Sequence, residues 1–150
     1  EQRLRIALAK HATADVVLID CPGTINQITL AALVASDAVV TVTQPTMKEM
    51  TGIPELEDTI EQLAEAYNPD LYLAGVIPSI VPAGNGKLYQ DALKVLAGNY
   101  DDLVTPPVRR TIRVPEAHGQ RVPLPRYAPT ADVTDDYRRV LAWLTAKGVL

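Results

Sequence analysis

The stretch Ala14-Asp15-Val16-Val17-Leu18-Ile19-Asp20-Cys21-Pro22-Gly23 limits what this chain can fold into more than any other. Four branched apolar residues in a row, closed by an acid and then Pro-Gly, read as a fully buried strand over 15–20 entering a tight turn. An Asp at the carboxyl end of a buried parallel strand sits where open α/β sheets bind their ligands. In nucleotide hydrolases such an acid orients the magnesium shell, and the turn after it senses the terminal phosphate. The competing reading is an Asp that merely caps the turn. Both stand at this point.

The rest of the chain alternates helices and strands. Residues 2–12 set Leu4, Ile6 and Leu8 among good helix formers, and 24–35 read as a short helix with Thr24 as N-cap. Ala38 to Thr43 is a β-branched strand closed by Gln44-Pro45. A helix over 51–67 carries Ile53, Leu56, Ile60, Leu63 and Tyr67 on one face, with Pro54 tolerable only in its first turn. Asn68-Pro69-Asp70 breaks it before a strand from Leu71 to Ile77. A loop over 78–87, a helix over 88–98 and a short strand near 102–105 follow; 108–130 reads as irregular, with repeated Pro and Arg. The last helix, 131–147, puts Val133, Tyr137, Val140, Leu141 and Leu144 on one face and ends at Gly148. Alternation without hairpin signals predicts an α/β fold, a mostly parallel sheet flanked by helices, as a single domain over 1–150.

Charge narrows the function classes. The net charge of −4 excludes a chain that is a polyanion binder as a whole, so any nucleic-acid surface is local. Residues 109–126 supply such a surface: Arg109, Arg110, Arg113, Arg121 and Arg126 face the single acid Glu116. Clustering of this kind makes phosphate contacts without sequence choice, or else pins an irregular loop to carboxylates and helix ends. Cys21 is the only cysteine, which excludes an internal disulfide, and no apolar run reaches the length of a membrane span. His11, His118 and Cys21 lack metal-ligand spacing, and Trp143 reads as packing. The chain begins at Glu1 already in helical pattern, which suggests a cut through a longer protein.

In order and spacing, Ile19-Asp20-Cys21-Pro22, Thr43-Gln44-Pro45, Asn68-Pro69-Asp70, Gly75-Val76, Arg113-Val114-Pro115-Glu116-Ala117 and His118-Gly119 resemble the C-terminal portion of ParA-type partition ATPases. That group includes Soj and is related to MinD, and the resemblance runs over essentially all 150 residues. It implies the C-terminal part of a P-loop NTPase-like domain in a cytoplasmic, nucleoid-associated protein that segregates plasmids or chromosomes. It implies ATP and magnesium in the intact protein, a homodimer, non-specific DNA binding, a ParB-type partner protein and no membrane. By the same resemblance Asp20 is the catalytic acid that holds magnesium through water, Gly23 faces the γ-phosphate, and Ser79 lies near the adenine. Arg110 and Arg113 become the DNA contacts. Two departures stand out: Arg109 replaces a proline that helps shape the base pocket, and Gly23 replaces a second proline.

A larger departure concerns the phosphate loop. Members of the group carry a Gly-rich loop with two lysines ahead of the position of Asp20, and no such loop lies within residues 1–19. Gly84-Asn85-Gly86-Lys87-Leu88 fails the pattern, with Val81 in place of the first Gly and Leu88 in place of Ser/Thr. The 150 residues alone are therefore expected neither to bind ATP tightly nor to hydrolyse it. A second function class follows: a nucleotide-independent binding or dimerisation module derived from this fold. A MinD-like membrane role ranks below both, because no basic amphipathic C-terminal helix is evident.

Overall fold

A computed structural model describes residues 2–84 and 86–150. Asn85, within the loop weighed above as a phosphate cradle, lies outside the described residues. The chain divides into two compact units, one of residues 1–40 and 51–74, the other of 41–50 and 75–150.

Strands β1 (Ala38–Thr43) and β2 (Tyr72–Pro78) pair with each other, and helices α3 (Met47–Met50) and α4 (Gly52–Ala66) form the crossover between them. A crossover of this length produces parallel strands, as the fold class predicted. In the first unit, α1 (Arg3–His11), α2 (Gln27–Val34) and α4 accompany the N-terminal halves of both strands. Its core consists of Leu33 and Val34 from α2, Ile60 and Leu63 from α4, and Leu71 before β2. The α4 face read from the sequence is buried at Ile53, Ile60 and Leu63, while Tyr67 stays largely exposed. Asn68 ties this core together: its side-chain amide donates to the Ser36 carbonyl at 2.7 Å and the Val34 carbonyl at 3.4 Å.

Two expectations fail in this unit. Residues 15–20 form no strand, and Leu18 is 83% exposed, so the strand read as fully buried is a surface segment. A strand is a shared object: without a neighbour offering N–H and C=O groups, β-branched residues alone do not make one. The N-cap of α2 is Asn26, not Thr24. Asn26 Oδ1 accepts from the N–H groups of Ile28 at 2.9 Å and Thr29 at 3.1 Å, and Thr29 Oγ1 donates to the Thr24 carbonyl instead. Asn and Thr both cap well, and the longer side chain of Asn26 spans the first turn.

In the second unit, α5 (Lys87–Tyr100) runs two residues past Gly98 and leads through a 3₁₀ turn, Asp101–Leu103, into an extended segment beside β2. There Thr105 N–H donates to the Val76 carbonyl and Val108 N–H to the Pro78 carbonyl, and Val81 N–H donates back to the Val108 carbonyl. Val76 with Val104 and Val81 with Arg109 form parallel bridges. The short strand expected near 102–105 is thus reduced to isolated bridges, because Pro106-Pro107 lacks the N–H groups a continuous ladder needs. The stretch 108–130, read as irregular, contains α6 (Arg113–Gly119) and α7 (Leu124–Tyr127). Their repeated prolines fall at or near helix starts, where a missing N–H costs nothing.

Helix α8 (Asp132–Ala146) buries Val133, Val140 and Leu144, whereas Tyr137 and Leu141 remain exposed. It ends in a Schellman closure: Gly148 at φ 71° donates to the Thr145 carbonyl and Val149 to the Leu144 carbonyl. Trp143 packs on Gly75 of β2, where an added β-carbon would lie 3.2 Å from the indole and would require the ring to move by a few tenths of an ångström. Lys147 stands 5.5 Å from the same ring and donates to Asp102 at 2.6 Å. Trp143 is packing, as its sequence context suggested.

Candidate functional site

The second unit gathers chemistry at the carboxyl ends of its parallel strands. Beyond β2, Ser79 N–H donates to the Thr43 carbonyl at 2.8 Å, which fixes Ser79 beside the end of β1. Ile80 follows at φ 55°, in the left-handed region that a β-branched residue rarely adopts. Such conformations persist only when neighbours over-determine them. Here hydrogen bonds from Ser79 to Thr43 and from Val81 to Val108 clamp both sides of the kink. The kink turns the chain sharply after Ser79 and leaves its hydroxyl half-buried at the strand ends.

Arg109 and Asp136 hold the segment that follows Val108. Asp136, on α8, has a side chain only 1% exposed. Its carboxylate accepts from the Arg109 backbone N–H at 3.1 Å, from Arg109 Nε at 2.6 Å and from a second guanidinium nitrogen at 3.1 Å. Arg139 donates to the same carboxylate, and Arg109 reaches Asp132 at 2.6 Å. Burial alone would push the Asp136 carboxyl up. The hydrogen bonds and charge of Arg109, with Arg139, outweigh burial and hold it below the usual carboxylate range. The Arg109 guanidinium is raised in turn, chiefly by its hydrogen bond to Asp136. The proline of the resemblance is therefore replaced by a two-acid, two-arginine clamp that fastens residues 108–110 to α8.

The arginine cluster divides. Arg109 pins the loop, and Arg113 makes a helical-spacing pair with Glu116 at 3.1 Å. Surface pairs of that kind contribute little and break readily. Arg110, Arg121 and Arg126 are exposed and make no ion pair among the described residues. The pinning reading of the basic stretch applies to Arg109.

Asp20 and Gly23 belong to the first unit. Asp20 is exposed on the segment without regular structure, and a β-carbon built on Gly23 would meet nothing within 4 Å. No group of three or more His, Cys, Asp or Glu able to hold a metal ion occurs among the described residues. A lone exposed carboxylate fits magnesium held mainly by water and phosphate oxygens, and does not fit an all-protein cage. Cys21 is a free, half-buried thiol whose S–H faces the Ile19 carbonyl at 3.8 Å.

Asp136 escaped the sequence reading, although a signal was present. Val133, Asp136, Val140 and Leu144 follow one another at helical spacing, which puts the acid on the buried face of an amphipathic helix. A charge there requires a partner, and the arginines near 109 were the candidates.

Comparison with known proteins agrees with this architecture. A family model described as an AAA domain matches residues 2–73. The chain is similar to the chromosome partitioning protein ParA of Caulobacter vibrioides, 35% identical over 101 residues that make up 67% of this chain and 38% of that protein. It is 28% identical over 149 residues to the sporulation initiation inhibitor protein Soj of Bacillus subtilis, covering 99% of this chain and 59% of Soj. The chain spans between 28% and 59% of the length of the curated relatives it matches. Among solved structures, cobyrinic acid a,c-diamide synthase from Mycobacterium smegmatis with bound ADP and magnesium is 33% identical, with a TM-score of 0.63 over 73% of this chain and 45% of that one. The cell division ATPase MinD of Pyrococcus furiosus superposes with a TM-score of 0.73 over 97% of this chain and 58% of its own, and at 14% identity it speaks to the fold alone. Fold and sequence likeness agree: the chain is similar to ParA- and Soj-type proteins, and its fold is that of the ParA/MinD-type structures.

Proposed function

We propose that this chain is the C-terminal part of a partition ATPase, in a protein that segregates plasmid or chromosomal DNA. The intact protein binds ATP with magnesium, dimerises, and binds DNA without sequence preference. A ParB-type partner stimulates its hydrolysis. The alignment with Soj along 99% of the chain carries this reading. In the first unit Asp20 is assigned to hold magnesium through water, with the turn at Gly23 against the γ-phosphate. In the second unit, taken by itself, Ser79 is assigned to the base. When bound, magnesium neutralises charge on the transferring phosphoryl group.

Arg110 is proposed as the principal DNA contact, with Arg113 beside it. The support is physical: the clamp on Arg109 fixes the neighbouring backbone, and Arg110 is exposed with no ion pair among the described residues. An ordered cation on a fixed loop binds phosphate at less entropic cost than a mobile one. The test uses the intact protein with ATP, magnesium and a duplex of arbitrary sequence. Replacing Arg110 and Arg113 by Ala should weaken binding about equally on unrelated sequences. It should also lower the slope of log affinity against log salt by about 2. An unchanged salt slope would exclude both residues from the DNA surface. Failure of the intact wild-type protein to bind DNA at all would favour the nucleotide-independent module.

A further inference from the structure

A second surface lies in the same unit and is of another kind. Helices α6, α7 and α8 enclose an open cavity of about 270 Å³ lined by Val114, Leu124, Pro125, Thr134 and Tyr137. Its wall is apolar: Thr134 spends its hydroxyl on the Ala128 carbonyl at 2.7 Å. The volume has room for one large side chain and falls short of a typical drug-sized ligand site. Three of its lining residues stand next to arginines in the chain: Arg113 precedes Val114, Arg126 follows Pro125, and Arg138 follows Tyr137. Arg126, and Arg121 in the turn between α6 and α7, make no ion pair among the described residues. The Tyr137 hydroxyl is also without a partner there, and the residue is 44% exposed.

An apolar socket whose lining residues adjoin arginines in the chain discriminates between polyanions. A DNA backbone offers phosphates but no apolar group that would fill such a socket. An acidic protein segment offers both: a leucine or aromatic anchor, and carboxylates for Arg126, Arg121 and the Tyr137 hydroxyl. Over residues 109–139 seven arginines stand against four acids, all four of which are taken up by the clamp, Arg138 and Arg113. We propose that the α6–α7–α8 cavity is a docking site for an acidic amphipathic segment of a partner protein, which inserts one large apolar side chain. The proposal does not depend on nucleotide binding or on the DNA role of Arg110.

The probe is a synthetic helical peptide with Glu and Asp on one face and a single Trp among leucines on the other. A control peptide replaces every acid by Lys. The full chain is titrated with each while Trp fluorescence anisotropy and amide NMR shifts are followed. The acidic peptide should bind at micromolar to submillimolar concentration and shift resonances of α6, α7 and α8, and the lysine peptide should not. Val114→Trp, which fills the cavity, and Arg126→Glu, which reverses an exposed charge next to Pro125, should each weaken it about tenfold or more. Circular dichroism of both variants establishes that they fold, and Arg126→Glu alters no packed residue. Equal binding of the two peptides, or binding indifferent to both substitutions, overturns the proposal. So does an equal loss of duplex DNA binding in Val114→Trp, which would make the cavity part of the nucleic-acid surface.

Discussion

Asp136→Asn should lower the unfolding free energy by about 2 kcal/mol, below the cost of breaking a fully buried ion pair because both arginine partners are half-exposed. For a chain of this length that corresponds to a fall of roughly 4–8 °C in thermal midpoint. Asparagine keeps the size and one accepting oxygen, but it leaves Arg139 without a compensating charge and Arg109 with Asp132 alone, and its amide nitrogen faces donors where an oxygen stood. Replacing both partners, Asp136→Leu with Arg109→Met, should recover much of the loss, because paired removal also lifts the desolvation cost. Chemical denaturation of the wild type, the single variant and the pair decides this. A loss below about 1 kcal/mol in the single variant would mean that the clamp contributes no more than a surface ion pair.

The same carboxylate sets an acid limit with a definite sign. Its folded-state value lies below the ordinary unfolded one, near 3.9, so the clamp contributes fully above about pH 4. That contribution disappears as pH falls further, through the depressed folded value. Wild-type stability should therefore drop on acidification below about pH 4, and Asp136→Asn should lose less over the same interval. Parallel acid profiles for the two proteins would exclude Asp136 as the linked group.

The second large effect concerns Asp20. On the proposed reading, Asp20→Ala in the intact protein should reduce magnesium-dependent ATP turnover about 100-fold or more, the scale of losing a group that organises transition-state charge. The magnesium concentration needed for half-maximal activity should rise as well. Thermal stability should hardly move, since Asp20 is exposed and makes no ion pair or hydrogen bond among the described residues. Large kinetic loss with unchanged stability separates a metal-holding acid from a turn cap, whose loss would act on folding. Turnover within threefold of wild type would return Asp20 to the capping role.

The elements legible in the sequence were those whose stability is local or whose pattern is long. Helices α1, α4 and α8 and strands β1 and β2 lie within two residues of their expected positions, because amphipathic spacing and Gly or Pro boundaries fix them from within. The segment 15–20 misled for the opposite reason. Its composition is as β-prone as that of β1, but pairing depends on a neighbour that no local pattern encodes. Arg109 and Asp136 are 27 residues apart in sequence, so their clamp is a product of tertiary structure. The helices within 108–130 were hidden because Pro reads as a breaker until its position in a first turn is known.

The unpaired segment has one more consequence, visible to deuterium. No backbone N–H from residues 13–25 finds a backbone acceptor among the described residues, whereas Thr105 and Val108 donate directly to β2. The amide protons of Val16, Val17, Leu18 and Ile19 should exchange at nearly the rate of an unfolded peptide, and those of Val76, Thr105 and Val108 only on larger opening. The residues that look most like the heart of a sheet would then be labelled within the first moments in heavy water. Any partner that pairs with them would announce itself as a slowing at those four amides.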